Sequence, residues 1–149
     1  MVSCFHEDIA EALVRGALQA LIGGGITAGN IRRVSVPGAF ELPIAAASVI
    51  RSWHPDAVVA LGCLVKGQTP QYAAIGTAVA QGLTQVAVST ATPVTFGVII
   101  AESFQQARAR ARLMPMTSHE ADVHRGREAA LAALAMLQLR RTLARTRTR

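Results

Sequence analysis

Apolar residues run along this chain in two alternating rhythms. Between positions 8 and 22, Ile9, Leu13, Ala17, Leu18, Leu21 and Ile22 share a helical spacing, and Gly23-Gly24-Gly25 closes the run. Ile31 to Val36 then reads as a strand, with Val34 and Val36 on one face, stopped by Pro37-Gly38. Residues 41–52 read as a helix, with Leu42, Ala45, Ala46, Val49 and Ile50 in register. After the Pro55-Asp56 turn, Ala57 to Leu61 is an unbroken apolar run, the pattern of a strand buried on both faces. Gly62 to Gly67 reads as the loop that follows. An alanine-rich helix is expected over 70–88, then a strand from Pro93 through Val94 and Phe96 to Ile100. Helices over 103–112 and 120–143 complete the pattern.

Strand and helix in alternation imply parallel strands joined by right-handed crossovers, an α/β sheet covered on both faces. The first strand is short, because only Val2-Ser3-Cys4 precede the first helix. Ligands of such sheets bind beyond the carboxyl ends of the strands. Chemistry is therefore expected at Phe5-His6, Pro37 to Glu41, Cys63 to Gln71 and the segment after Ile100. One domain is expected over residues 1–140, with 141–149 as a basic C-terminal tail.

Composition changes this picture in one respect. Of the 149 residues 51% are hydrophobic but only 4% aromatic, so the core must be mainly aliphatic. Charged residues make up 16%, against about 25% in typical soluble domains. Sparse charge on a small domain implies self-association. The net charge of +6 leans towards the C-terminus, with Arg140, Arg141, Arg145, Arg147 and Arg149 at its end. We read that tail as solvated surface, so a nucleic-acid partner is not expected. Cys4 and Cys63 form no disulfide framework and lie in no metal-ligand spacing, and no cofactor is implied. Neither a signal-peptide pattern nor an apolar run of about 18 residues occurs, so a cytoplasmic protein without a membrane partner is expected.

The candidate loops carry specific chemistry. Pro37-Gly38 turns the chain sharply, and Gly38 admits a ligand close to the backbone. Glu41 at a helix start has its carboxylate favoured by the dipole and suited to the hydroxyls of a polyol. Phe5 and Phe40 offer flat faces to a heteroaromatic ring. Gly67-Gln68-Thr69-Pro70 sets backbone N–H groups and a hydroxyl before a long helix, an anion-binding arrangement.

Three blocks carry a resemblance. Val36-Pro37-Gly38-Ala39-Phe40-Glu41-Leu42-Pro43 matches without change a signature of the lumazine synthases. Leu61 to Pro70 is similar to their Gly-x-x-x-(Arg/Lys)-Gly-x-Thr-Pro loop, and Pro93-Val94-Thr95-Phe96-Gly97-Val98 to their Pro-Val-x-Phe-Gly-Val strand. The likeness covers roughly residues 2–112 and 125–140. It implies a flavodoxin-like three-layer sandwich with a four-stranded parallel sheet, helices on both faces and a shortened first strand. It also implies a cofactor-free transferase of riboflavin biosynthesis, assembled as a pentamer or multiples of one. The amine of 5-amino-6-(D-ribitylamino)uracil would attack the ketone of 3,4-dihydroxy-2-butanone 4-phosphate. Schiff-base formation, phosphate elimination and ring closure would then yield 6,7-dimethyl-8-ribityllumazine.

By motif position, Phe5 would stack on the pyrimidine, with Phe40 beside it and Ala39 and Glu41 near the ribityl chain. Cys63, Leu64 and Val65 would line the ring pocket. Gln68 and Thr69 would take the phosphate with Arg110, and Phe96 would close the site from a neighbouring subunit. The family's proton-carrying His is replaced by Gln71, and the acidic residue two positions later by Ala73. Gln71 and Arg110 thus stand at the catalytic positions. The stretch from Leu113 to His124 is about seven residues longer than in the family; its His119 and His124 read first as incidental residues of a polar loop, with a substitute base as the alternative. His6 occupies a family Asn position and Cys4 an Arg position. The competing reading is a non-catalytic or impaired ligand-binding or assembly protein on the same scaffold.

Overall fold

The computed structural model describes residues 1–112 and 124–146. Among these residues four strands form one all-parallel sheet in the order β2-β1-β3-β4. They are β1 (Val2–Ser3), β2 (Ser35–Val36), β3 (Val58–Val65) and β4 (Val94–Ala101). Among the described residues five helices cover the sheet: α1 (Glu7–Gly23), α2 (Leu42–Trp53), α3 (Gln71–Thr90), α4 (Phe104–Arg110) and α5 (Arg125–Thr146). The expected flavodoxin-like three-layer α/β sandwich is the fold observed.

Alternation of side chains along the strands splits the core in two. On one face Val2, Leu61, Cys63, Ile99 and Ala101 pack against α1, α4 and α5 through Ile9, Leu13, Ala107, Ala129 and Ala130. On the other face Val36, Val58, Ala60 and Val98 meet Leu42, Ala46, Ile50, Val79 and Leu83 of α2 and α3. Both clusters are aliphatic, as the composition requires.

Two strand boundaries differ from the periodic pattern. β3 does not stop at Leu61; Gly62 to Val65, expected as loop, continue the strand. Its ladder with β4 is unbroken from Val58↔Val94 to Val65↔Ala101, and the Lys66 N–H donates to Ala101 O at 2.9 Å beyond it. Conversely, the strand expected over Ile31–Val36 contracts to Ser35–Val36. Its partner β1 offers only two residues, paired as Val2↔Ser35 and Ser3↔Val36. A 3₁₀ turn occupies Ala28–Asn30.

Beyond the strands, Ser103 caps α4 by accepting the Gln106 N–H at 3.2 Å. The last helix begins at Arg125 and continues to Thr146, so residues 141–146 of the basic tail are helical. Among the described residues no helix is long and apolar enough to cross a membrane.

Candidate active site

The strand order places a switch point between β1 and β3. The chain leaves β1 towards α1 on one face and β3 towards α3 on the other, so a crevice opens above their carboxyl ends. A cavity of about 390 Å³ lies there. It is lined from β1 by Phe5 and His6, from β2 by Gly38 to Glu41, from β3 by Cys63 to Val65, and from α3 and the loop before it by Gly67, Thr69, Gln71, Tyr72 and Ile75.

Each wall follows from local sequence. Pro37-Gly38 ends β2, and a 3₁₀ turn over Ala39–Glu41 leads into α2, whose N-cap is Glu41. A Cβ built on Gly38 would lie 2.9 Å from Glu41 Oε2, so the carboxylate folds back over the glycine. Phe5 is 67% exposed and Phe40 61%, an unfavourable state for large apolar rings unless something covers them. Cys63 is buried at the floor, and burial pushes its thiol up to about 12, so it remains protonated and unreactive. Gly67, Thr69 and Gln71 are exposed at the start of the 20-residue α3, whose N-terminus has no side-chain cap. Orphan N–H groups there are available to an anion.

The loop after β4 does not line the cavity, but it braces one wall. Glu102 accepts hydrogen bonds from the Lys66 ammonium at 2.7 Å and from the Tyr72 hydroxyl. Those bonds hold the Glu102 carboxyl below its ordinary range, and the bond to Glu102 holds the Tyr72 phenol above its own. The ends of β3 and β4 and the first turn of α3 are thereby tied together.

Nine residues expected from the motifs meet in this cavity: Phe5, Ala39, Phe40, Glu41, Cys63, Leu64, Val65, Thr69 and Gln71. Gln68, Phe96 and Arg110 are not among its lining in the single chain. Phe96 is half-buried against the α2–α3 core cluster, and Arg110 is exposed at the end of α4. His119 and His124 are the alternative bases that the longer segment offers. His119 lies outside the described residues. His124 is buried against Gly16 of α1, and its Nδ1 accepts the Arg127 N–H at 3.4 Å, so it does not reach the cavity. His6 and Tyr72 were not assigned a role from the motifs. The signals for His6 are its place directly after Phe5 in a strand-end loop and its standing at a family Asn position.

Comparison with known proteins gives one consistent answer. Residues 1–141 match the family model described as 6,7-dimethyl-8-ribityllumazine synthase. The chain is 45% identical to the 6,7-dimethyl-8-ribityllumazine synthase of Kineococcus radiotolerans over 130 residues, which is 87% of this chain and 76% of that protein. It is 40% identical to the enzyme of the same name from Porphyromonas gingivalis over 140 residues, 94% of this chain and 83% of the relative. Against the Aquifex aeolicus enzyme it is 36% identical over 143 residues, covering 96% and 88%. With this match and the pocket at the sheet's switch point, the chain belongs to the 6,7-dimethyl-8-ribityllumazine synthase family.

Proposed function

We propose that this chain is a transferase of riboflavin biosynthesis. It condenses 5-amino-6-(D-ribitylamino)uracil with 3,4-dihydroxy-2-butanone 4-phosphate to give 6,7-dimethyl-8-ribityllumazine. The observation that carries the reading is the convergence of Phe5, the Gly38–Glu41 turn and the Gly67–Thr69 loop on one cavity. Exposed Phe5 and Phe40 rings supply stacking faces for the pyrimidine, and Glu41 an acceptor for ribityl hydroxyls. The start of α3, with Thr69, supplies donors for the phosphate. Arg110 and Gln68 are proposed to join them there once substrate is bound.

Holding the amine against the ketone is the main catalytic device in this reading. Orientation alone accounts for ~7 kcal/mol or more of barrier reduction in well-aligned pairs. Mixing both substrates with the protein and following lumazine absorbance tests the reading. Product formation above the uncatalysed rate is expected. Binding of the pyrimidine without turnover would leave a ligand-binding scaffold instead.

The protein is further proposed to act as a homo-oligomer, a pentamer or a multiple of one, in which Phe96 of a neighbour completes the site. Ile44 and Val88 support this, being 64% and 77% exposed on α2 and α3 although strongly apolar. Light scattering should give a mass several times the 15.7 kDa of one chain. A cytoplasmic location is proposed from the two free thiols, Cys4 and Cys63.

A further inference from the structure

Position 71 leaves the reaction without its expected proton carrier, since an amide does not exchange protons near neutral pH. The cavity nevertheless contains an imidazole, that of His6. His6 joins β1 to α1 with a left-handed backbone, φ 58° and ψ 66°. Side-chain-bearing residues seldom adopt this region, and when they do it is often at functional sites. Its ring meets Phe5 edge-on at 5.8 Å and 78° and Phe104 at 4.9 Å and 88°. Two aromatic neighbours thus hold the imidazole at the mouth of the cavity. Although it stands at the N-cap of α1, its side chain makes no capping hydrogen bond. Among the described residues its ring nitrogens have no hydrogen-bond partner.

The other protic groups of the cavity suit the task less well. Cys63 is locked in its thiol form by burial, and the Tyr72 hydroxyl is engaged with Glu102. We propose that His6 is the proton carrier of this enzyme, doing from the end of β1 what the family's histidine does from the start of α3. The assignment rests on the lumazine synthase reading above.

In the first step the amine nitrogen forms a C–N bond to the ketone carbon, and the carbonyl π pair moves to oxygen. The neutral imidazole takes a proton from that nitrogen and returns it to the oxygen, leaving a carbinolamine. The C–O bond then breaks as C=N forms, and His6 passes the second N–H proton to the departing oxygen. Both amine protons leave on water, and the imidazole ends as it began.

The test compares His6→Asn with the parent chain at saturating substrates. Asn tolerates the left-handed backbone, so the turn into α1 should survive, as circular dichroism would verify. Turnover should fall by at least ~10²-fold, the low end for a general acid–base group, with pyrimidine affinity nearly unchanged. The acid limb of the kcat–pH profile should also flatten. The charged and titratable groups on the elements beside His6 are Glu7 and Asp8 in the first turn of α1 and Arg108 on α4, whose guanidinium lies 3.4 Å from Asp8. Across the cavity they are Glu41, Cys63 and Tyr72, and all of them persist in the variant. Adding Gln71→His to His6→Asn should restore turnover and the acid limb. His6→Gly, suited to the same backbone, should regain activity when free imidazole is supplied. A His6→Asn enzyme that keeps its kcat and acid limb overturns the proposal, as does one whose only defect is pyrimidine binding. If the parent chain itself forms no lumazine, the functional reading falls and the assignment with it.

Discussion

Among the described residues two histidines stand at helix starts, and their surroundings make them different chemical objects. His124 precedes α5 and lies 8% exposed in the seam between α1 and α5. A Cβ on Gly16 would overlap its ring, and one on Gly126 would overlap the Leu13 carbonyl, so the two helices approach as closely as glycine permits. Burial holds the His124 pKa below its ordinary value, and the ring serves packing and the first turn of α5. His6 precedes α1 at the rim of the cavity, half-buried between two phenylalanines, with no hydrogen-bond partner on its nitrogens among the described residues. The contrast extends to whole regions. Along the seam Ala129 and Ala130 are buried against α1 and the sheet, and Ala133 is buried one turn on. Around the cavity Phe5, Phe40 and the 67–71 loop stay exposed, contributing little to the core. Changes in the seam should therefore act on stability, and changes at the rim on substrate handling.

The largest effect is expected from Gly126→Val. Its side chain has no room beside Leu13, and the helices must separate, at a cost on the order of 3 kcal/mol or more. Urea unfolding should show a lower midpoint, and a midpoint like the parent's would break the contrast at its packed side. At the rim, Gln71→His in the parent should raise kcat by well under the ~10²-fold of a first acid–base group, because His6 already carries the proton, and should leave pyrimidine affinity nearly unchanged. A gain seen only in KM would mean that residue 71 serves binding. Thr69→Ala removes one donor from the proposed phosphate site, a loss of about 1 kcal/mol or roughly fivefold in KM for the phosphate substrate. An equal change in KM for the pyrimidine would show that the hydroxyl does not discriminate the two.

The smallest effect concerns His124 and pH. Its folded-state pKa is lowered by burial, so between that value and the ordinary 6.5 the unfolded chain binds the extra proton. Its contribution to stability is complete above the unfolded value and is lost as pH falls through the folded one. Thermal scans should show the parent losing Tm on acidification faster than His124→Gln does, with kcat at neutral pH alike in both. A selective loss of turnover in His124→Gln would move the proton carrier to the seam.

How much of this was legible beforehand differs by kind of information. The alternation of apolar runs determined four parallel strands between helices, because burial on one or two faces leaves a local period that residues such as Ala57 to Leu61 display openly. The motif blocks determined which loops form the cavity, and nine of the expected residues meet there. Strand lengths were decided elsewhere. β3 runs to Val65 because β4 pairs with it to Ala101, and β2 shrinks to Ser35–Val36 because β1 provides two residues. A ladder is a property of two segments, and neither alone records the reach of the other. The same holds for Glu102, whose partners Lys66 and Tyr72 lie 36 and 30 residues away. The sequence sets His6 in a strand-end loop and His124 at the end of the longer segment, but it does not record what packs around either ring. Only the packing of distant segments, Gly16 around one ring and the open switch point beside the other, decides which imidazole is buried and which can exchange a proton with a ligand.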